Sequence, residues 1–417
     1  LTLRHEKAKL LGYANFADLV LEDRMAKSGT RALSFVDDLR TRTAFAFVAE
    51  NETLAAFAKK TAGLDTLRPW DVGYFAEKQR KAEYDFDDEA LRPYFPAEKV
   101  LSGLFAIAKK LYGVDVVPRE AKTWNEAVRT YGIHDGDELV AAFFVDLHPR
   151  DDKRGGAWMN ALVTGTTREG KDPRHLGLFC ANATPPIGDK PALLTHDEVE
   201  TLFHEFGHLL HHALSRVSVR GLSGTNVAWD FVELPSQIME NFCFEREALD
   251  LFAAHYETGE KIPDALFEKL LRARTYRAAN GQMRQLAFAT LDLGLHRTYD
   301  REKDGDVVAY ARTIVEAHSA VTYDDDYAMI CGFGHLFSSP VAYAAGYYSY
   351  KWAEVLDADA FTRFKREGVL SSEVGRAFRE SVLSKGDSKD PGELYRAFMG
   401  RDPELDALLA RAGLLAA

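Results

Sequence analysis

The five residues His204-Glu205-Phe206-Gly207-His208 constrain this chain more than any other stretch. Thr195 and Glu198 form the pattern of a capping box, so a helix is expected to start there and to run through His212. On such a helix His204 and His208 lie one above the other on a single face. Both imidazoles then reach one metal ion at about 2.0–2.1 Å. Glu205 projects into the same pocket, where a carboxylate takes a proton from an attacking water. Phe203, Phe206, Leu209 and Leu210 make the rest of the helix apolar, which predicts burial. Buried His and Glu side chains without partners cost free energy, so the pattern favours a bound cation over a chance match.

A catalytic zinc commonly takes three protein ligands. A third histidine in His-Glu-x-x-His-x-x-Gly-x-x-His is excluded, because His211 stands at the Gly position and Leu214 at the last His position. The remaining source is a carboxylate on a second helix. Asp230-Phe231-Val232-Glu233-Leu234-Pro235-Ser236-Gln237-Ile238-Met239-Glu240 offers both Glu233 and Glu240, and spacing leaves the choice open. Ser236 and Gln237 are candidates to hold a ligand histidine from behind. His211 shares a face with His208, whereas His212 reads as a solvated or structural residue.

The flanking sequence sets the fold class. Residues 1–135 read mainly as helices, with apolar residues at helical spacing through 31–66 and again through 99–112. Three β-rich runs, 114–117, 139–147 and 177–181, predict a small sheet beside the histidine helix. Ala181-Asn182-Ala183-Thr184 is a candidate edge strand for pairing with a peptide backbone. Beyond Thr195 helices are expected over 236–255, 263–300, 306–320, 340–365 and 372–383, and Asp324-Asp325-Asp326 as an exposed acidic turn. The balance of 52 Lys and Arg against 64 Asp and Glu argues against a nucleic-acid partner, which needs clustered cations. No run is apolar for the length of a bilayer, so no membrane partner is expected. Cys180, Cys243 and Cys331 are odd in number and form no C-x-x-C pair, which fits a reducing, cytoplasmic setting.

These residues resemble the thimet oligopeptidase family of zinc peptidases: His204 to His208, then Glu233 within Asp-Phe-Val-Glu-Leu-Pro-Ser-Gln. Tyr343-Ala344-Ala345-Gly346-Tyr347-Tyr348-Ser349-Tyr350-Lys351-Trp352 is similar to its bacterial oligopeptidase A branch. So are Lys153-Arg154-Gly155-Gly156-Ala157-Trp158, Arg68-Pro69-Trp70-Asp71 and Gly400-Arg401-Asp402-Pro403, and the similarity covers essentially the whole chain. The resemblance implies a mainly α, zincin-like helical metallopeptidase, with a small β-sheet beside the active site and a deep substrate channel. It implies that residues 1–135 form part of the channel wall and that 136–417 are the catalytic domain. It implies one zinc ion per chain, with Glu233 as third ligand beside His204 and His208. Glu205 is then the general base, and the enzyme a cytoplasmic monomer that cuts short peptides internally.

The resemblance further implies that Tyr343, Tyr347 and His335 contact the substrate, and that Tyr350 and Tyr343 donate hydrogen bonds to the developing oxyanion. By periodicity alone these tyrosines form one helix face, a pattern more common in cores than in active sites, and Tyr348 falls off it. The loop from Gly334 to Tyr343 is about two residues longer than the family pattern and is stiffened by Pro340. Family members carry roughly 250 or more residues before the point where this chain begins, which implies a C-terminal, catalytic portion. Two rival functions follow. One is a peptidyl-dipeptidase that releases dipeptides from a C-terminus. The other is an inactive peptide-binding fragment in which zinc is a structural staple.

Overall fold

The structure, a computed structural model, describes residues 1–84, 87–341 and 343–415. Its first long helix, α1 (Gly29–Ala62), starts where the Ser28 side chain accepts the Arg31 N–H, and buries Ala32, Val36 and Leu39. A second, α2 (Ala97–Tyr112), turns Val100, Leu104, Ile107 and Leu111 into the core. Five strands follow: β1 (Val114–Pro118), β2 (Arg129–Asp135), β3 (Glu138–Asp146), β4 (Trp158–Val163) and β5 (His175–Cys180). They form one sheet in the order β1-β2-β3-β5-β4. Every pairing is antiparallel except β3 with β5. The histidine helix α3 (His196–Ala213) packs on β4 and β5, and against the short helix α4 (Leu234–Glu240). Two further helices matter for the site, α5 (Ala278–Arg297) and α6 (Ser349–Glu367). One apolar core runs through the whole, from Ala17 to Leu414. The division expected at 135/136 falls in the hairpin between β2 and β3.

Two strands were not legible in the sequence. β2 carries Gly132 in its middle, and β4 carries Asn160 and Ala161 in its middle, both weak strand formers. The sheet edges are β1 and β4, and 181–184 is not one of them. Ala181 and Ala183 donate their N–H groups to Asp146 O and Leu147 O at 2.9 and 2.8 Å, so that segment is already paired. The Asn182 side chain instead donates to Arg154 O and Gly156 O, and holds the charged loop before β4.

Three expected helices are shorter or broken, each for a tertiary reason. The helix over 236–255 ends at Glu240 and gives way to a tight turn, Asn241–Phe244, that buries Phe242, Cys243 and Phe244 together. No single face of a straight helix does this. The helix over 263–300 divides into Asp264–Arg274 and α5, with Arg277 between them at φ 50°. Glu50 of α1 accepts the Ala279 and Asn280 N–H groups, each at 3.0 Å, and so caps α5 from a distant part of the chain. The helix over 340–365 begins only at Ser349, and Ala345 before it adopts φ 55°. Ala342, within that expected helix and the 334–343 loop, lies outside the described residues. By contrast 306–320 contains the helix Val307–Glu316, and 372–383 is helical throughout, its last turn widened to a π-helix. Among the described residues no helix is long and apolar enough to cross a membrane.

Candidate metal centre

The capping box at the start of α3 is present. Thr195 Oγ1 accepts the Glu198 N–H at 3.1 Å, and Glu198 Oε2 accepts the Thr195 N–H at 2.7 Å. About three turns on, α3 and α4 touch at Gly207. A Cβ there would lie 2.5 Å from Pro235 O and 2.6 Å from the Ser236 Cα. Only a glycine permits this approach. It brings Glu233, the residue before α4, to the histidines: Glu233 Oε2 lies 3.3 Å from His204 Nε2 and 3.1 Å from His208 Nε2. One ligand atom from each of the three residues lies within 4.8 Å of the others. Two imidazoles and a carboxylate at this spacing fit one divalent cation.

The two glutamates left open by the sequence sit on opposite sides of His204. Glu233 faces Nε2, whereas Glu240 Oε1 is 2.6 Å from Nδ1. Nδ1–H therefore donates to Glu240, which turns the Nε2 lone pair toward the cluster. Ser236 supports the carboxylate rather than a histidine, its hydroxyl donating to Glu233 Oε2 at 3.0 Å. Gln237 Oε1 and His208 Nδ1 are buried and have no hydrogen-bond partner. Burial disfavours charge on both His204 and Glu233, yet their mutual attraction prevails. Without a cation, Glu233 and Glu240 raise the pKa of His204, and the two histidines hold Glu233 well below the usual carboxylate range; a divalent cation takes the place of the shared proton.

Glu205 is only 7% exposed, and its Oε2 has no hydrogen-bond partner. Burial raises its pKa, an effect opposed by His204 and His208 and by the backbone of Met159 in β4. A buried carboxylate oxygen without a partner, next to three convergent ligands, suits a group that receives a proton from a bound molecule.

The structure gathers Tyr343, Tyr347, Tyr350 and His335, but not on one helix face. Tyr350 lies in the first turn of α6, while Tyr343 and Tyr347 belong to the turn before it. Tyr350 donates to the Tyr343 hydroxyl at 3.0 Å, and their rings stack with centroids 5.9 Å apart. Tyr347 lies 5.4 Å from the Tyr350 ring, and His335 5.4 Å from that of Tyr343. The Tyr350 hydroxyl is pushed well above its ordinary pKa, first by burial, then by Tyr343, with the Glu233 charge contributing.

The residue that shapes this turn is Asp292 of α5, which sequence reasoning missed. Its fully buried carboxylate accepts the Ala345 N–H at 2.7 Å, the Tyr347 N–H at 2.8 Å and His296 Nδ1 at 2.8 Å. Arg4 closes the chain on His296 Nε2 at 2.8 Å. The available signal was an acid inside the apolar run Leu291-Asp292-Leu293, since a buried carboxylate requires partners. Tyr348 is structural, as expected: it donates to the buried Asp230 at 2.7 Å. His212 is buried rather than solvated, edge-on to His175 at 4.8 Å. His211 has neither ring nitrogen bonded, and burial lowers its pKa to about 3. Asp324, Asp325 and Asp326 are exposed, with Arg312 paired to Asp325 at 3.1 Å.

Two packed helices that present two imidazoles and a carboxylate, with a second buried carboxylate beside them, define a zincin-like metal centre in a mainly helical fold. The profile described as peptidase family M3 matches residues 1–414, and the chain belongs to that family. It is 43% identical over 418 residues to oligopeptidase A of Escherichia coli (strain K12), covering 99% of this chain and 61% of that protein. It is 34% identical over 416 residues to dipeptidyl carboxypeptidase of the same organism, covering 99% of this chain and 60% of that protein. The chain thus spans about three fifths of the curated relatives it matches. Among solved structures, the M32 carboxypeptidase from Deinococcus radiodurans R1 shares the fold, with a TM-score of 0.57 at 15% identity. That match covers 99% of this chain and 73% of the other.

Proposed function

We propose that the chain is a metallo-endopeptidase acting on short peptides, with one zinc ion held by His204, His208 and Glu233. The observation that carries this is the orphaned, buried Glu205 Oε2 beside a cluster whose ligand atoms lie within 4.8 Å of one another. When bound, zinc supplies Lewis acidity, polarising a carbonyl oxygen and lowering the pKa of a water toward about 7. Glu205 takes the proton of the attacking water and returns it to the leaving amine. Its raised pKa suits both transfers. Tyr350 and Tyr343 donate to the oxyanion as charge develops there, and the raised pKa of Tyr350 keeps it a neutral donor at pH 7. Tyr347 and His335 bind the peptide next to them. Residues 1–135 contribute part of the channel wall and 136–417 carry the chemistry. The enzyme works as a monomer in the cytoplasm, a setting that suits its three free cysteines. Similarity to a dipeptidyl carboxypeptidase supports a second reading, release of C-terminal dipeptides by the same chemistry.

The test is cleavage of a quenched fluorescent nonapeptide by the 417-residue chain, before and after chelation and after zinc is restored. Loss and recovery of turnover are expected. Cleavage indifferent to chelator, or a chain that binds no zinc, overturns the proposal.

A further inference from the structure

A cavity of about 620 Å³ opens between α5, the helix Pro69–Tyr84 and the segment 315–329. Its wall holds Arg277, Arg284 and His318 with the rings of Phe288, Tyr323 and Tyr327, and contains no Asp or Glu among the described residues. Two arginines in the lining favour anions, and since the Glu50 carboxylate on Asn280 offsets Arg277, the attraction centres on Arg284. Its volume lies within the roughly 300–1,000 Å³ of small-ligand sites.

The two arginines differ. Arg277 is already engaged, with Asn51 Oδ1 at 3.0 Å and Glu50 O at 3.4 Å. Arg284 has no hydrogen bond or ion pair among the described residues; its guanidinium lies 5.6 Å from the centre of the Phe288 ring. Phe288 in turn meets Tyr347 edge-on at 5.6 Å. A free cation thus stands one ring away from the tyrosine turn. His318 supplies an independent sign of a ligand. His318 lines the cavity; its Nδ1–H donates to Ile314 O at 2.8 Å, and its Nε2 is buried with no partner among the described residues. A lone-pair acceptor there suits an amide N–H, and a guanidinium suits a carboxylate.

We infer that this cavity is a subsite for the carboxylate-bearing end of a peptide. Arg284 pairs with the carboxylate, His318 Nε2 accepts an amide N–H, and the Tyr323 and Tyr327 rings provide an apolar wall. The inference rests on the peptidase reading above. It extends that reading by making a negative charge on one side of the scissile bond a determinant of binding. The carboxylate comes either from the peptide's C-terminus or from an acidic side chain near it.

Binding is measured with three versions of one labelled octapeptide that lacks other acids: the free acid, the C-terminal amide, and the amide with a single Glu at its last position. Zinc-loaded Glu205→Gln is used so that the probe survives. The free acid is expected to bind about tenfold or more tighter than the plain amide, less so at high salt. In a second background carrying Arg284→Ala, that difference disappears while affinity for the plain amide is kept. Arg284 is exposed, so the substitution leaves the fold intact. A glutamyl amide that matches the free acid shows that the site takes either carboxylate; one that matches the plain amide assigns it to the C-terminus. Equal binding of all three, or a preference that survives Arg284→Ala, overturns the subsite even where wild type cleaves the amide. Absence of both binding and cleavage overturns the peptidase reading, and the subsite with it.

Discussion

His204, His208 and Glu233 are carried by two helices whose backbones meet at Gly207. Tyr343 and Tyr347 are carried by a non-helical turn whose amides are gathered by the single carboxylate of Asp292. The first half of the site is fixed by close packing: helix periodicity sets the histidines, and the absence of one Cβ lets Glu233 reach them. The second half is fixed by a polar network reaching from Asp292 through His296 to Arg4. Close packing of helices is stiff, because displacing one backbone displaces the other. A turn held by charge-assisted hydrogen bonds is different, since it depends on every partner being present. The Glu233 charge felt at Tyr350 is where the two halves meet.

The comparison can be broken at three points. The largest effect is expected for Glu205→Gln, which removes the proposed proton acceptor and leaves both scaffolds in place. Turnover should fall by about 10³-fold or more, or about 4 kcal/mol in barrier, while zinc content stays at one per chain. Single-turnover rates with metal analysis decide it, and substantial remaining activity rules out Glu205 as the base.

Asp292→Ala removes the acceptor for two amides and a histidine in a fully buried place. Breaking such a network should cost about 3–5 kcal/mol of stability, read from denaturant unfolding. Zinc affinity of the folded fraction should be nearly unchanged while kcat falls. Equal loss of metal binding would show that the halves are not independent. Asp292→Asn, which keeps the shape, should recover part of the stability.

Gly207→Ala places a methyl group against the Pro235 carbonyl and the Ser236 Cα, both backbone atoms that cannot rotate away. Separation of α3 from α4 should cost about 1–3 kcal/mol of stability. Zinc binding should weaken, because Glu233 moves away from the histidines. Calorimetric titration of zinc into the variant tests this; unchanged affinity would mean that Glu233 is not positioned by the contact. The tyrosine cluster should keep its near-ultraviolet circular dichroism.

Much of the metal half was legible in advance. His204, Glu205 and His208 are local: four residues of helix and a capping box place them whatever lies around them. The apolar residues of α3 announced its burial, and Phe203, Phe206, Leu209 and Leu210 are all buried. The tyrosine half was legible only as a motif, and its expected helical form was wrong. Spacing sees periodicity, but Ala345 takes a left-handed conformation because an aspartate more than fifty positions earlier draws its amide inward.

The sequence by itself determined the chemistry available here: two imidazoles and a carboxylate on one helix, and a mainly α fold. It did so because these depend on side-chain type and on the 3.6-residue period, both properties of short segments. Tertiary structure alone decided that Glu233 faces Nε2 while Glu240 faces Nδ1. It decided likewise that β1 and β4 are the sheet edges, and that Arg284 has no ion pair among the described residues. Each of these depends on which distant backbone or side chain lies within a few ångströms, and no local pattern records that distance.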